Sequence, residues 1–177
     1  MCVVTDKQEN LFRAWFDRYK NLIFKVVNTY AASPEDQDDL FQEILLQLWS
    51  SIPGFQRKSK ETTWIYRVAL NTALVWKRTE SRKRKRFRRD ILDIQEISHI
   101  KDNGDELFRN KQILDQVYDS IRQLPKSESS IVLLYLDDLS YEEMAAILGI
   151  SKSNVGVRLN RAKKKLAQLL KGLIDDL

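Results

Sequence analysis

The sequence predicts an all-α protein built as two small helical domains, and three observations predict it. Glycine (5) and proline (3) are scarce in 177 residues, so little of the chain goes into turns. Apolar residues return every three or four positions, the helical spacing. The few breakers sit where caps and stops belong: Ser33-Pro34, Pro53-Gly54, Pro125 and Gly149. With 43% hydrophobic and 31% charged residues, the chain has material for one ordinary core or two small ones.

Leu11/Phe12, Phe16, Tyr19, Ile23, Val26/Val27 and Tyr30 keep the 3–4 spacing, which predicts a first helix from about Asp6 to Tyr30. Ser33 followed by Pro34 is an N-cap with proline at the first helical position. The second helix then runs to about Ser50 with Leu40/Phe41, Ile44/Leu45 and Leu48 inward, and "SIPGF" stops it. After the polar loop "QRKSKE" a third helix starts near Thr62, with Ile65, Val68/Ala69, Thr72 and Val75/Trp76 on its buried side. It continues into "KRTESRKRKRFRR". These helices form a first domain over residues 1–90, a bundle of three to four helices.

Residues 91–105 have mixed charge, weak periodicity and a "DNGD" turn signal, and read as a flexible linker. The second domain, 106–177, opens on a helix with Leu107, Leu114, Val117, Ile121 and Leu124 on one face, ended by Pro125. Ser127 is expected to cap a short helix through Ile131/Val132 and Leu134/Tyr135. Ser140 and Glu143 then make S-x-x-E, the capping-box signature. Met144, Ala145 and Leu148 give that helix an apolar face, Gly149 supplies the left-handed stop, and Ser151 caps the last helix.

The net charge of +5 and isoelectric point near 9.3 matter less than their distribution. Lys77 to Arg89 holds nine Lys or Arg in thirteen residues against one acid, Glu80. Lys152 to Lys171 holds seven bases and no acid. Two basic patches on a mixed background point to a polyanion gripped in two places. No apolar run approaches the roughly 20 residues of a membrane span, so direct membrane insertion is not expected. "MCVVTDKQEN" is too short and polar for a secretory signal. The single cysteine, Cys2, fits a reducing cytoplasm. An enzyme lacks material. The one histidine, His99, falls in the linker, and no metal-ligand cluster, phosphate loop or nucleophile–base pair is visible. No cofactor, metal or small-molecule substrate is expected.

On the last helix Val155, Leu159, Ala162 and Leu166 recur at four, three and four, so they face inward. At 100° per residue, Ser153, Val157, Asn160, Arg161 and Lys164 face outward, with Lys152 at the start and Asn154 and Arg158 flanking. Asn and Arg suit bidentate bonds to purine edges, and Val157 suits a thymine methyl. Two helices, a glycine turn and a polar second helix are the pattern of helix-turn-helix DNA binders. Lys163 to Lys165 are placed to neutralise backbone phosphate. Gly156, inside this helix, should destabilise it by about 0.8–1 kcal/mol against alanine. In the first domain, Asp38, Asp39, Gln42 and Glu43 form an acidic-amide outer face. Trp64, Arg67, Asn71, Lys77 and Arg78 mix aromatic, amide and cation on one helix, a combination suited to single-stranded nucleic acid. A stand-alone helix-turn-helix regulator satisfies these features too.

Three motifs carry a resemblance. "D-x-x-D-L-x-Q-E-x-x-x-x-L-W" at Asp36–Trp49, "F-x-x-x-S-x-x-x-T-W-I-Y-R-V-A-x-N-T-A" at Phe55–Ala73 and "L-P-x-x-x-x-x-x-x-L-x-Y-L-x-x-L-S-Y-E-E-M-A-x-I-L-G-I-S-x-x-x-V-x-x-R-L-x-R-A-K-K-K-L" at Leu124–Leu166 stand in order. The chain resembles bacterial sigma factors of the sigma-70 family, extracytoplasmic-function group. The resemblance implies that Asp38, Asp39, Gln42 and Glu43 bind a coiled coil on the clamp of the core polymerase's largest subunit. It implies that the loop Gln56, Arg57, Lys58, Ser59, Lys60 and Glu61, with Trp64, Arg67, Asn71, Lys77 and Arg78, reads and melts the −10 element. The helix from Lys152 would read the −35 element through Lys152, Ser153, Asn154, Val157, Arg158, Asn160, Arg161 and Lys164. Implied partners are core RNA polymerase, at its clamp and flap, promoter DNA and an anti-sigma factor. The chain departs from the family pattern at Arg57-Lys58, where Gly-Asp or Gly-Glu is frequent, at Val75, and at Gly156 and Val157.

Overall fold

A computed structural model gives the fold. It describes residues 2–90 and 106–174, with side chains over 6–80 and 113–171. The expected linker, 91–105, lies outside the described residues. Seven α-helices and one 3-10 turn make up the described chain: α1 Cys2–Tyr30, α2 Pro34–Ser51, the 3-10 turn Ile52–Gly54, α3 Glu61–Asp90, α4 Glu106–Gln123, α5 Lys126–Leu136, α6 Tyr141–Leu148 and α7 Lys152–Ile174.

Helices α1, α2 and α3 pack mutually into the first module. Ser33 caps α2 by accepting the Asp36 N–H at 3.2 Å, and Leu40, Ile44 and Leu48 are its buried stripe. On α3 the inner face is Ile65, Tyr66, Ala69, Leu70 and Ala73. Val75, expected inside, is 58% exposed. It lies two residues, about 200°, beyond Ala73 and so on the far side of the helix.

In the second module, burial on α4 is described at Ile121, with Val117 half-buried, while Leu114 is exposed. Leu114 shares the phase of Ile121, so the apolar stripe outruns the surface that covers it. The expected cap at Ser127 is not used. Pro125 occupies the cap position of α5, and its carbonyl takes the N–H groups of Glu128 and Ser129 at 2.7 and 3.0 Å. Proline can hold that place because the first turn needs no donor from it. Seven consecutive residues of α5, Glu128 to Leu134, are buried. A helix covered on every side is a central element. Its buried serines are satisfied: Ser129 donates to the Ile121 carbonyl at 2.9 Å and Ser130 to that of Lys126 at 3.0 Å.

The two modules pack against each other. One hydrophobic cluster joins Trp15, Ile23, Val26, Ile44, Ile65 and Ala69 of the first to Leu133, Leu134, Met144, Ile147 and Val155 of the second. A smaller cluster of Ile121, Leu124, Val132 and Ala162 belongs to the second module alone.

Candidate nucleic-acid interface

The turn between α6 and α7 forms as its residues dictate. Ser140 accepts the Glu143 N–H at 3.2 Å while the Glu143 carboxylate accepts the Ser140 N–H at 3.0 Å, a complete capping box. Gly149 takes φ 66°, and its N–H and that of Ile150 both reach the Ala145 carbonyl. Ser151 then accepts the Asn154 N–H at 3.3 Å to start α7. Glu143 is held down to about 2, first by the Lys60 ammonium and then by the Ser140 N–H and hydroxyl. A carboxyl with a lowered pKa stabilises the fold above its usual range, and that contribution fades as pH falls towards about 2. Melting temperatures of the wild-type chain should therefore drop between pH 5 and 2 more steeply than those of Glu143→Gln.

Val155, Leu159 and Ala162 bury α7 against the module. Ser153, Val157, Asn160, Arg161 and Lys164 are exposed on the opposite side, as the spacing predicts. Asn154 and Arg158 are half-buried and joined, with Arg158 Nε donating to Asn154 Oδ1 at 3.1 Å. That bond leaves the two terminal nitrogens of the guanidinium and the Asn154 amide N–H donors for a ligand. Lys152 is exposed and ion-paired to Glu142. The lysine triplet divides. Lys163 lies 3.7 Å over the Tyr135 ring and Lys165 pairs with Glu128 at 3.0 Å, so both are engaged inside the module. Lys164 points outward. A Cβ on Gly156 would meet the Tyr141 ring at 3.5 Å, an ordinary contact. Gly156→Ala should thus raise unfolding free energy by about 0.8–1 kcal/mol in urea titrations. A loss of duplex binding in that stabilised variant would show that the glycine serves the DNA.

The α3 region divides as well. Gln56, Arg57, Lys58, Asn71 and Arg78 are exposed, and Ser59 is half-buried. Arg57 has φ 56°, the left-handed region that favours glycine and strains other residues by about 1–2 kcal/mol. The backbone keeps a glycine's geometry with a cation in its place. Trp64 is a packing residue: its indole N–H donates to Ser51 Oγ at 3.1 Å and its ring meets Phe55 at 5.5 Å. Glu61 is tied to α1 by Tyr19 at 3.3 Å and Arg18 at 3.4 Å. Lys77 donates to the Tyr30 carbonyl at 3.0 Å, closing the end of α1. Lys60 and Arg67 reach the second module, Lys60 to Glu143 at 2.7 Å and Arg67 to the Ala146 carbonyl at 2.9 and 2.5 Å.

On α2, Asp38, Asp39 and Gln42 are exposed and Glu43 is half-buried beside Gln47. They do not form one patch. Asp39 and Glu43 rim a groove of about 500 Å³ towards α3, with Asn71, Val75 and Trp76. Gln42 lines a second, apolar groove towards α1 with Phe12, Leu45, Leu46 and Trp49. The inner stripe read from the sequence leaves out Leu46, which is 61% exposed, and periodicity alone does not show that an outward leucine edges a groove. Among the described residues no group of His, Cys, Asp and Glu could hold a metal ion, and no helix is long and apolar enough to cross a membrane.

A capped helix-turn-helix with a polar outer face, packed on a helical bundle with acidic and basic faces, defines a two-module DNA-binding protein. Comparison with known proteins makes this specific. The family model "Sigma-70 region 2" matches residues 15–83 and "Sigma-70, region 4" matches 114–166. The ECF RNA polymerase sigma-E factor of Escherichia coli K12 is 29% identical over 167 residues, 89% of this chain and 85% of that one. The corresponding factor of Haemophilus influenzae is 26% identical over 97% of this chain and 93% of its own. The fold matches RpoE of Bartonella quintana, solved with the anti-sigma factor NepR, at TM-score 0.67 and 21% identity over 90% of this chain and 96% of that one. It matches CnrH, solved with the cytosolic domain of CnrY, at TM-score 0.65 and 18% identity over 93% and 90%. The chain belongs to the sigma-70 family of RNA polymerase sigma factors, in its extracytoplasmic-function group. Sigma factors are non-enzymatic regulators that direct the polymerase to promoters.

Proposed function

We propose that residues 1–90 dock on core polymerase and open the −10 element, that 91–105 link the modules, and that 106–177 read the −35 element. The two family matches fall one inside each proposed domain. The observation that carries the reading is the outer face of α7, where Ser153, Val157, Asn160, Arg161 and Lys164 stand exposed beyond a fully capped turn. The exposed α2 residues Asp38, Asp39 and Gln42, with Glu43, are the polymerase contact. Gln56, Arg57, Lys58, Asn71 and Arg78 offer the −10 DNA an open amide-and-cation surface, and Lys60 and Arg67 join it once released from α6. The work is binding and strand opening in the cytoplasm, with no covalent step. An anti-sigma factor is the expected regulator, since both solved relatives named above are held by a partner protein.

Arg158→Ala should weaken −35 duplex binding by about 1–3 kcal/mol and relax specificity at one base pair. Asn154→Ala should repeat much of that loss, and the double variant should lose less than the sum, because Asn154 aligns Arg158. Fluorescence anisotropy against duplexes carrying each base at the contacted position measures all three. Uniform loss across bases would make Arg158 a phosphate contact. Specific transcription should require core polymerase; tight operator binding without it would instead mark a stand-alone regulator.

A further inference from the structure

We propose that Arg57 reads one base of the opened −10 strand, and that this base presents two neighbouring acceptors, as guanine and cytosine do. The inference rests on the reading that the loop before α3 meets that strand. Arg57 takes φ 56°, a backbone that glycine adopts freely and a long side chain rarely does. Among the described residues the other non-glycine case is Asp138, a residue type that visits this region routinely. Arginine does not. A cation kept where glycine would sit more easily points to what its side chain touches.

The loop is anchored at both ends. At its root Phe55 lies against Trp15 and Trp64, with ring centroids at 5.1 and 5.5 Å. The Phe55 N–H closes on the Ile52 carbonyl at 3.0 Å, and at the far end the Lys60 carbonyl accepts the Trp64 N–H at 3.1 Å. Residues 56–59 span the gap. The Arg57 side chain therefore leaves a fixed backbone, and little ordering remains when a ligand arrives.

The groups around it are sorted by sign. The loop's carboxylate, Glu61, is turned back onto α1, where it accepts the Tyr19 hydroxyl at 3.3 Å and the Arg18 guanidinium at 3.4 Å. Lys60 is occupied by Glu143. Arg57 and Lys58 stand exposed, and neither is ion-paired among the described residues. Apart from the Gln56 amide, the exposed side chains of the tip are donors alone. A guanidinium has no acceptor, and its fork fits two acceptors side by side. Guanine offers O6 and N7; unpaired cytosine offers O2 and N3. Adenine sets its amino group, and thymine its ring N–H, between the acceptors of the same edge. Lys58, a flexible point charge, suits the phosphate beside the base.

The test places the full chain on core polymerase and offers non-template strands randomised across the −10 element. Wild-type holoenzyme should favour guanine or cytosine at one position by about tenfold or more. Arg57→Lys keeps the charge and loses the fork. It should hold strands with adenine or thymine there within about threefold of wild type, while the preference falls to about twofold or less. Arg57→Gly relieves the backbone, so it should melt no lower than wild type, and its lost preference is then not lost folding. Lys58→Ala should weaken every sequence alike and lower the salt slope by roughly 0.7. The proposal is overturned by no such preference in wild type, by adenine or thymine at the Arg57-dependent position, by a preference that survives both Arg57 variants, or by equal loss across all four bases. Combining Arg57→Gly with Lys58→Ala identifies the other way of failing. If that double variant keeps wild-type affinity, salt slope and sequence choice, the loop does not touch the strand and the underlying reading fails.

Discussion

Asp39→Arg should cut affinity for core polymerase by about 100-fold or more, roughly 2.7 kcal/mol or above. Asp39 is exposed on α2 and rims the α2–α3 groove with Glu43 and Glu80. A basic partner helix laid there meets an acidic edge; reversal turns attraction into repulsion at the same place. Asp39 spans no core contact, so stability should change by only about 0.5 kcal/mol either way. Titration of labelled chain with core polymerase, with circular dichroism as control, reads both quantities. Unchanged affinity would remove α2 as the docking element. The neighbouring apolar groove gives a companion measurement, because Leu46→Asp should weaken the complex only if the partner also spans towards α1.

Leu134→Ala should have the largest effect on stability. Leu134 is fully buried within the cluster that both modules share. Truncating such a leucine costs about 2–5 kcal/mol, lost transfer energy plus a cavity. The shared cluster fixes the form of the loss as well as its size. If α5 belonged to the second module alone, α1 and α3 would keep their melting temperature. Here both modules should melt earlier and together, seen as one cooperative transition in calorimetry and in tryptophan fluorescence, which reports the first module. Separate transitions, with only the second displaced, would contradict the shared core.

Local features were legible in the sequence. Helix ends at Ser33-Pro34, Ser140, Gly149 and Ser151 are written in residues that act within a few positions of themselves, and all four function as expected. The outward face of α7 follows from rotation alone. Apart from the cap expected at Ser127, whose place Pro125 takes, what failed depended on distance. Val75 and Leu114 are apolar at plausible spacings, but burial needs a neighbour to cover them, and periodicity does not report where a neighbour ends. Trp64, Lys77, Lys163 and Lys165 resembled ligand-facing groups, yet each is engaged by a hydroxyl, carbonyl, ring or carboxylate from another element. Asp137 was invisible for the same reason. Nothing near it in sequence reveals that Lys25 and Tyr66, 112 and 71 positions away, converge on its two oxygens.

Helix α5 has no dry side to spare. Leu133 and Leu134 turn towards the first module's core, whereas Val132 turns towards Ala162 of α7. Once the modules part, one flank of that helix meets water and becomes adhesive. A released chain is thus a poor long-lived solute: it should clump or be cleaved unless another greasy surface takes the vacated place promptly, which makes the interval between letting go and being recaptured a brief one.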